Sequence, residues 1–111
     1  MMKIRFLCAP LALLAIPAYA RADPDDEVRR FMNYNYGRYD ECAKAAAAEF
    51  ASQPEDAATV GRAVFGYCRE KWDWYAATAG FTGKDLEAAE EAEREHATGL
   101  VMHARAAAKG H

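Results

Sequence analysis

Two cysteines, Cys42 and Cys68, constrain the fold of this chain more than any other feature. Both lie at the same distance from residue 55, which falls in a predicted turn between two helical segments. In an antiparallel helical hairpin with a short loop, residues at equal distances from the turn face one another. Each cysteine also lies on the apolar stripe of its own segment. We therefore predict a disulfide that links the two helices.

The rest of the chain has a helical pattern. Apolar residues recur at intervals of three and four, and no stretch alternates as a strand would. Asp23-Pro24 is typical of a helix start, Gly80 of a helix end, and Thr82-Gly83-Lys84-Asp85 has the form of a capping box. Helices are predicted over about 24–51, 56–79 and 83–108. We expect an all-α fold: a small three-helix bundle with an antiparallel helical hairpin crosslinked by its disulfide.

The cysteine spacing disfavours redox or haem chemistry. Neither Cys42 nor Cys68 has a second cysteine two residues away, so there is no Cys-x-x-Cys redox pair and no Cys-x-x-Cys-His haem attachment. A structural crosslink is therefore the favoured interpretation. Cys8, the third cysteine, lies in an apolar run near the N-terminus.

The first residues have the three-part layout of a secretory signal peptide. Lys3 and Arg5 give a positive start, an apolar run over 6–16 follows, and small residues then occur at the spacing that a signal peptidase reads. The apolar run is about half the roughly 20 residues that a transmembrane helix needs. We predict cleavage after Ala20, or alternatively after Ala22, and a periplasmic or secreted protein.

Removal of residues 1–20 would leave a single helical domain of residues 21–111. This domain keeps 12 of the 14 basic residues and all 17 acidic residues, so its net charge is −5 with neutral histidines. An acidic balance disfavours nucleic acid and anionic membrane surfaces as partners. A domain this small gains stability from a covalent crosslink or from a partner subunit.

Aromatic residues give the clearest indication of function. Three tyrosines lie close together on the first predicted helix, and five aromatic residues lie on the second. One helical face cannot hold all five, so some either lie under the third helix or form an exposed patch. An exposed patch is typical of an interface with a protein partner, a second copy or an apolar ligand. The candidate interaction residues are Tyr34, Tyr36, Phe65, Trp72, Trp74 and Tyr75.

The third predicted helix carries a weaker candidate site. Glu93, His96 and His103 lie on one side of it, and Glu-x-x-His is half of the ligand set of di-iron bundles. Imidazole and thioether ligands suit copper, imidazole also suits zinc, and Met32 with His103 could hold haem. Alternatively, the histidines complement the negative end of the helix dipole. We expect no cofactor; the weak metal candidates are Glu93, His96, Met102 and His103.

The sequence contains no recognisable catalytic motif. A Gly-rich phosphate loop, a Gly-x-Ser-x-Gly elbow and a His-Glu-x-x-His pair are all missing. Three packed helices of this size rarely enclose a catalytic pocket. We expect a non-catalytic protein-interaction or self-association module in the periplasm, with a metal- or haem-binding helical protein as the alternative.

The predicted disulfide has a measurable effect on stability. In the chain-entropy model, closing a loop of about 26 residues stabilises the folded state by roughly 3.5 kcal/mol. The Cys42→Ser, Cys68→Ser double variant should therefore unfold at a lower denaturant concentration, with its free energy of unfolding reduced by about that amount. Denaturant titration of both proteins without reductant measures the difference. Equal midpoints and slopes would contradict the prediction.

Overall fold

The computed structural model describes residues 24–110. The predicted signal peptide, both alternative cleavage positions and His111 lie outside these residues. Within the described range the fold is all-α. Its four helices are α1 (Pro24–Phe50), α2 (Ala57–Tyr67), α3 (Arg69–Ala79) and α4 (Gly83–Lys109). None of the helices in this part of the chain is both long enough and apolar enough to cross a membrane.

The chain divides into two compact units, one up to Arg30 and one from Phe31 onward. In the first unit, α1 begins at Pro24 with three acidic residues in its first turn, where they complement the positive end of the helix dipole. Arg29 Nη1 contacts Asp26 Oδ1 at 3.0 Å, one turn earlier.

The predicted second helix is divided in two. A single helix was expected over 56–79, but Cys68 has φ −96° and ψ 13°, and it separates α2 from α3. The Cys68 N–H still donates to the Val64 carbonyl, and the Cys68 carbonyl accepts from the Trp72 N–H, both at 3.1 Å. The break is therefore confined to one residue, the one that the disulfide attaches to α1.

The disulfide between Cys42 and Cys68 is present. It joins the middle of α1 to the junction of α2 and α3, with a Cα–Cα distance of 5.9 Å. Two ideal facing helices about 9 Å apart would place these atoms roughly 4.5 Å apart. The observed distance lies in the common range for disulfides. The predicted disulfide is confirmed.

The helix ends follow local sequence signals, with one exception. Asp56 caps α2 by accepting the Thr59 N–H at 2.7 Å, and this hydrogen bond lowers the pKa of the Asp56 carboxyl. Gly80 ends α3 in the left-handed region at φ 76°. The predicted capping box after Gly80 is wrong, because the Thr82 side chain makes no cap hydrogen bond. Its carbonyl instead accepts the Asp85 N–H at 3.1 Å.

The end of α3 is a Schellman motif. The Gly80 N–H donates to the Ala77 carbonyl, and the Phe81 N–H donates to the Ala76 carbonyl at 3.1 Å. The apolar contact that accompanies this motif is also present, because the Phe81 and Tyr75 rings lie 5.9 Å apart. The turn between α3 and α4 is therefore attached to the aromatic core.

The core combines small residues on α1 with larger ones on the other helices. Four aliphatic or aromatic side chains of α2 and α3 pack onto an alanine face of α1, where Tyr39 is the one buried ring. Small side chains allow helices to approach closely. The buried apolar residues in the described range are Tyr39, Ala43, Ala46, Ala47, Val60, Val64, Phe65, Cys68, Trp72, Ala76, Ala97 and Val101.

The helices α2 and α4 make their closest approach at Gly61. A Cβ atom at this position would lie 2.7 Å from the Thr98 nitrogen and 2.8 Å from the Thr98 Cα, so no larger side chain fits without a shift of the backbone. Gly61 is buried, and sequence analysis did not identify it. By contrast, a Cβ atom at Gly99 of α4 would meet nothing within 4 Å.

Arg105 connects the end of α4 to the loop between α1 and α2. Its Nε donates to the Ala51 carbonyl at 2.9 Å, and its Nη2 donates to the carbonyls of Gln53 and Glu55 at 2.8 and 2.6 Å. These carbonyls follow the last residue of α1 and lack helical partners. One guanidinium thus fixes the loop that sets the register of the hairpin.

Replacing each of the two glycines by alanine should have opposite effects. Gly61→Ala forces α2 away from Thr98 and should lower the free energy of unfolding by about 1–3 kcal/mol. Gly99→Ala adds a methyl group in open space and a better helix former, so it should raise stability by about 0.5–1 kcal/mol. Parallel thermal and denaturant unfolding measures both. A neutral Gly61→Ala would contradict the close approach.

Candidate functional site

Two of the candidate interaction residues belong to the core. The side chains of Phe65 and Trp72 are 2% and 1% exposed. The guanidinium groups of Arg69 and Arg94 lie 5.3 and 5.6 Å from the centre of the Phe65 ring and cover it from α3 and α4. Trp72 Nε1 donates to Glu90 Oε2 at 3.1 Å. Phe65 and Trp72 therefore do not contribute to an exposed patch.

Tyr36 and Tyr75 lie between core and surface. Both are half-buried, and their rings are in edge contact with centroids 5.0 Å apart. The Tyr36 hydroxyl donates to Glu93 Oε1 at 3.0 Å and so connects α1 with α4. Through the ring contact and the hydrogen bond to Glu93, these two half-buried residues connect α1, α3 and α4.

The remaining two candidates are exposed. Tyr34 and Trp74 show 62% and 64% of their surface to solvent, and Tyr67 shows 66%. The Arg38 guanidinium lies over the Tyr34 ring at 6.0 Å. Tyr67 is the last residue of α2, and its exposed ring contacts Phe50 with the ring centroids 5.5 Å apart.

These exposed rings border a groove between α1 and the α2–α3 arm. At one end, Asn35, Arg38, Lys71 and Trp74 enclose a small cavity of about 100 Å³. Next to it lies a wider, open depression of about 470 Å³. We call the whole feature the aromatic groove. Its lining comprises Asn35, Arg38, Glu41, Cys42, Ala45, Ala46 and Glu49 of α1, Tyr67 of α2, and Glu70, Lys71 and Trp74 of α3. Tyr34 lies at its edge, against Arg38.

A buried amide fixes the two walls of the groove beneath Trp74. Asn35 is buried, and its Nδ2 donates to Thr78 Oγ1 at 2.9 Å. Thr78 Oγ1 in turn donates to the Trp74 carbonyl at 2.8 Å. Together, the Cys42–Cys68 disulfide and this hydrogen bond provide two independent links between the walls. The sequence signal for Asn35 was available, since a polar residue on an apolar stripe requires a partner.

Charged side chains of both signs line the groove and form no ion pairs with other residues of the range 24–110. Arg38 and Lys71 are basic, and Glu41, Glu49 and Glu70 are acidic. None of the five takes part in an ion pair among the described residues. Asp40 and Asp73, by contrast, are paired with Lys44 and Arg69. The ionic groups of the groove are thus free to contact another molecule.

The Glu93-x-x-His96 pair takes part in a polar cluster between α1 and α4. Tyr36 donates to Glu93 Oε1, while Glu93 Oε2 and the hydroxyl of the fully buried Tyr39 have no hydrogen-bond partner. Burial, with the nearby Glu93 carboxylate, raises the pKa of both Tyr36 and Tyr39 well above the usual range. Both phenols are therefore protonated, and Tyr36 is the one that donates to Glu93. His96 Nε2 lies 3.6 Å from Asp40 Oδ1.

The weak metal candidates are not gathered into one site. Met102 and His103 are exposed on later turns of α4, and His96 faces Asp40. Met32 is half-buried on α1. Within residues 24–110, no group of three His, Cys, Asp or Glu side chains is arranged to hold a metal ion.

No protein-family model matches this chain, and neither a curated protein nor a solved structure is similar to it.

The two tyrosines beside Glu93 should respond differently to loss of their hydroxyl groups. Tyr36→Phe leaves a largely buried carboxylate without its donor and should lower the free energy of unfolding by about 1–3 kcal/mol. Tyr39→Phe removes a buried hydroxyl that has no partner, so stability should stay equal or rise. Denaturant unfolding at neutral pH measures both. A larger loss for Tyr39→Phe than for Tyr36→Phe would show that Tyr39 is the main donor.

Proposed function

We propose that this protein is a non-catalytic interaction module that binds a protein surface in the aromatic groove. The observation that carries the proposal is the exposure of Trp74 and Tyr34 beside Arg38. Tryptophan, tyrosine and arginine are the residue types that contribute most to protein interfaces. Other aromatic side chains of the same two helices, Tyr39 of α1 and Trp72 of α3, are buried, whereas the rings of Tyr34 and Trp74 are exposed to solvent.

The groove is also rigid enough to act as a binding surface. Its walls are joined by the Cys42–Cys68 disulfide and by the Asn35–Thr78 hydrogen bond. A surface that is ordered before binding loses less conformational entropy when a partner arrives. The free ionic groups of the groove supply the charged positions that set orientation and register.

The proposal includes export of the chain. A signal peptide of residues 1–20 would direct the protein to the periplasm or out of the cell. The disulfide supports this location, because such bonds persist in oxidising compartments. The proposal also treats α2 and α3 as one arm of a three-helix bundle, supported by the backbone hydrogen bonds on both sides of Cys68.

Binding of copper, zinc or haem through His96, Met102 and His103 remains the alternative proposal. The observation in its favour is the unpartnered Glu93 Oε2, three residues before His96. Its support is weaker than that of the groove, because Met102 and His103 are exposed and apart from this oxygen.

A photocrosslinking amino acid at position 74 tests the proposed surface. In the compartment where the protein resides, this variant should give discrete crosslinked species after irradiation, because the proposed partner covers Trp74. The matched control is the same amino acid at Met102, an equally exposed apolar position on α4. Mass spectrometry of the adducts identifies the partner. Equal, diffuse labelling at both positions would contradict the proposal.

A further inference from the structure

We propose that the partner in the aromatic groove is a second copy of this chain. The two copies form a dimer with twofold symmetry in which the α1 helices pack antiparallel. This inference rests on the proposed function, since it names the occupant of the same surface. It follows from the spacing of charges along the exposed side of α1.

Arg38 and Glu49 carry opposite charges on the same side of α1. They are 11 residues apart, which is close to three helical turns and about 16 Å along the axis. Neither forms an ion pair within the described residues. A twofold axis midway between them, near residue 43, places Arg38 beside the partner's Glu49. The same operation places Glu49 beside the partner's Arg38, so one contact is made twice.

The residues between the two charges allow helices to approach. Cys42 and Ala45 occupy the centre of this span, and both line the depression. Under the same twofold operation, Cys42 lies opposite the partner's Ala45. Small side chains at a helix crossing allow an interaxial distance near the lower end of the usual 8–10 Å. The centre of the proposed interface is thus flat and apolar, and the charges lie towards its rim.

The charges on the other wall of the groove also favour a second copy as the partner, rather than a protein of uniform charge. Lys71 and Glu70 are adjacent on α3 and have opposite charges, and neither forms an ion pair with another residue of the range 24–110. A strongly acidic partner would meet Glu41, Glu49 and Glu70, and a strongly basic one would meet Arg38 and Lys71. A surface with both signs in alternation is complementary to itself. Tyr67 on the rim would lose much of its exposure.

Sedimentation equilibrium of the oxidised protein, with charge-reversal variants, tests the pairing. The protein should dimerise with increasing concentration, and the dimer should weaken at high salt. Arg38→Glu and Glu49→Arg should each raise the Kd by about tenfold or more, because each places like charges together twice. The Arg38→Glu, Glu49→Arg double variant should recover most of the affinity. Arg62→Glu, exposed on α2 outside the groove, is the control and should leave the Kd unchanged.

Mixing the two single variants gives a sharper result. In a heterodimer of Arg38→Glu with Glu49→Arg, both contacts again join opposite charges, so the mixture should associate more tightly than either variant alone. Circular dichroism shows whether each variant is folded. A chain that is monomeric at all concentrations, or reversals that are not rescued by mixing, would overturn the inference. In those cases, crosslinks from position 74 to a different protein would leave the proposed function standing, and their absence would reject both.

Discussion

The covalent bond between Cys42 and Cys68 is the constraint on which the rest of this structure depends. It attaches the middle of α1 to the single residue that separates α2 from α3. Every buried ring of the α2–α3 arm lies within one or two turns of this point. A domain of this size buries a modest fraction of its surface, so a crosslink at the centre of the core contributes a large part of its net stability.

The helices divide the packing between small and large residues. α1 presents alanines to the core on one side and a second row of small and charged residues to solvent on the other. The rings of Phe65 and Trp72 fill the space that the alanines leave, and two guanidinium groups of α3 and α4 close over Phe65. As a result, α1 carries small side chains next to the α2–α3 arm, and this part of α1 forms one wall of the groove.

Sequence periodicity was sufficient for the all-α class and for the pairing of the cysteines, because both depend on spacing along the chain. A local signal, the preference for glycine at a helix C-terminus, predicted the helix end at Gly80. Periodicity did not predict the break at Cys68, which depends on where the disulfide holds the backbone. Nor did it predict that Tyr67 is exposed while its neighbour Cys68 is buried.

The division of the aromatic residues into core and surface was also beyond the sequence. Phe65 is covered by Arg94, a residue 29 positions away, and a stripe drawn on one helix contains no information about another. Tyr34 and Trp74 are exposed and Phe65 and Trp72 are buried, yet nothing local in the sequence distinguished these two pairs of candidates. The contacts of Gly61 with Thr98 and of Arg105 with the hairpin loop are likewise set by the docking of α4.

The three hydrogen bonds from Arg105 determine the order in which the molecule can be assembled. The chain is synthesised from its N-terminus, and the hairpin can be oxidised as soon as Cys68 is available. Its loop carbonyls obtain their guanidinium only after Arg105, 37 residues later, has been made. A nascent or truncated chain that stops before α4 would therefore be a crosslinked hairpin with a solvated loop. Its Phe65 ring would be covered by Arg69 but not by Arg94. Once α4 is complete, Arg105 binds the loop carbonyls and Arg94 covers the Phe65 ring.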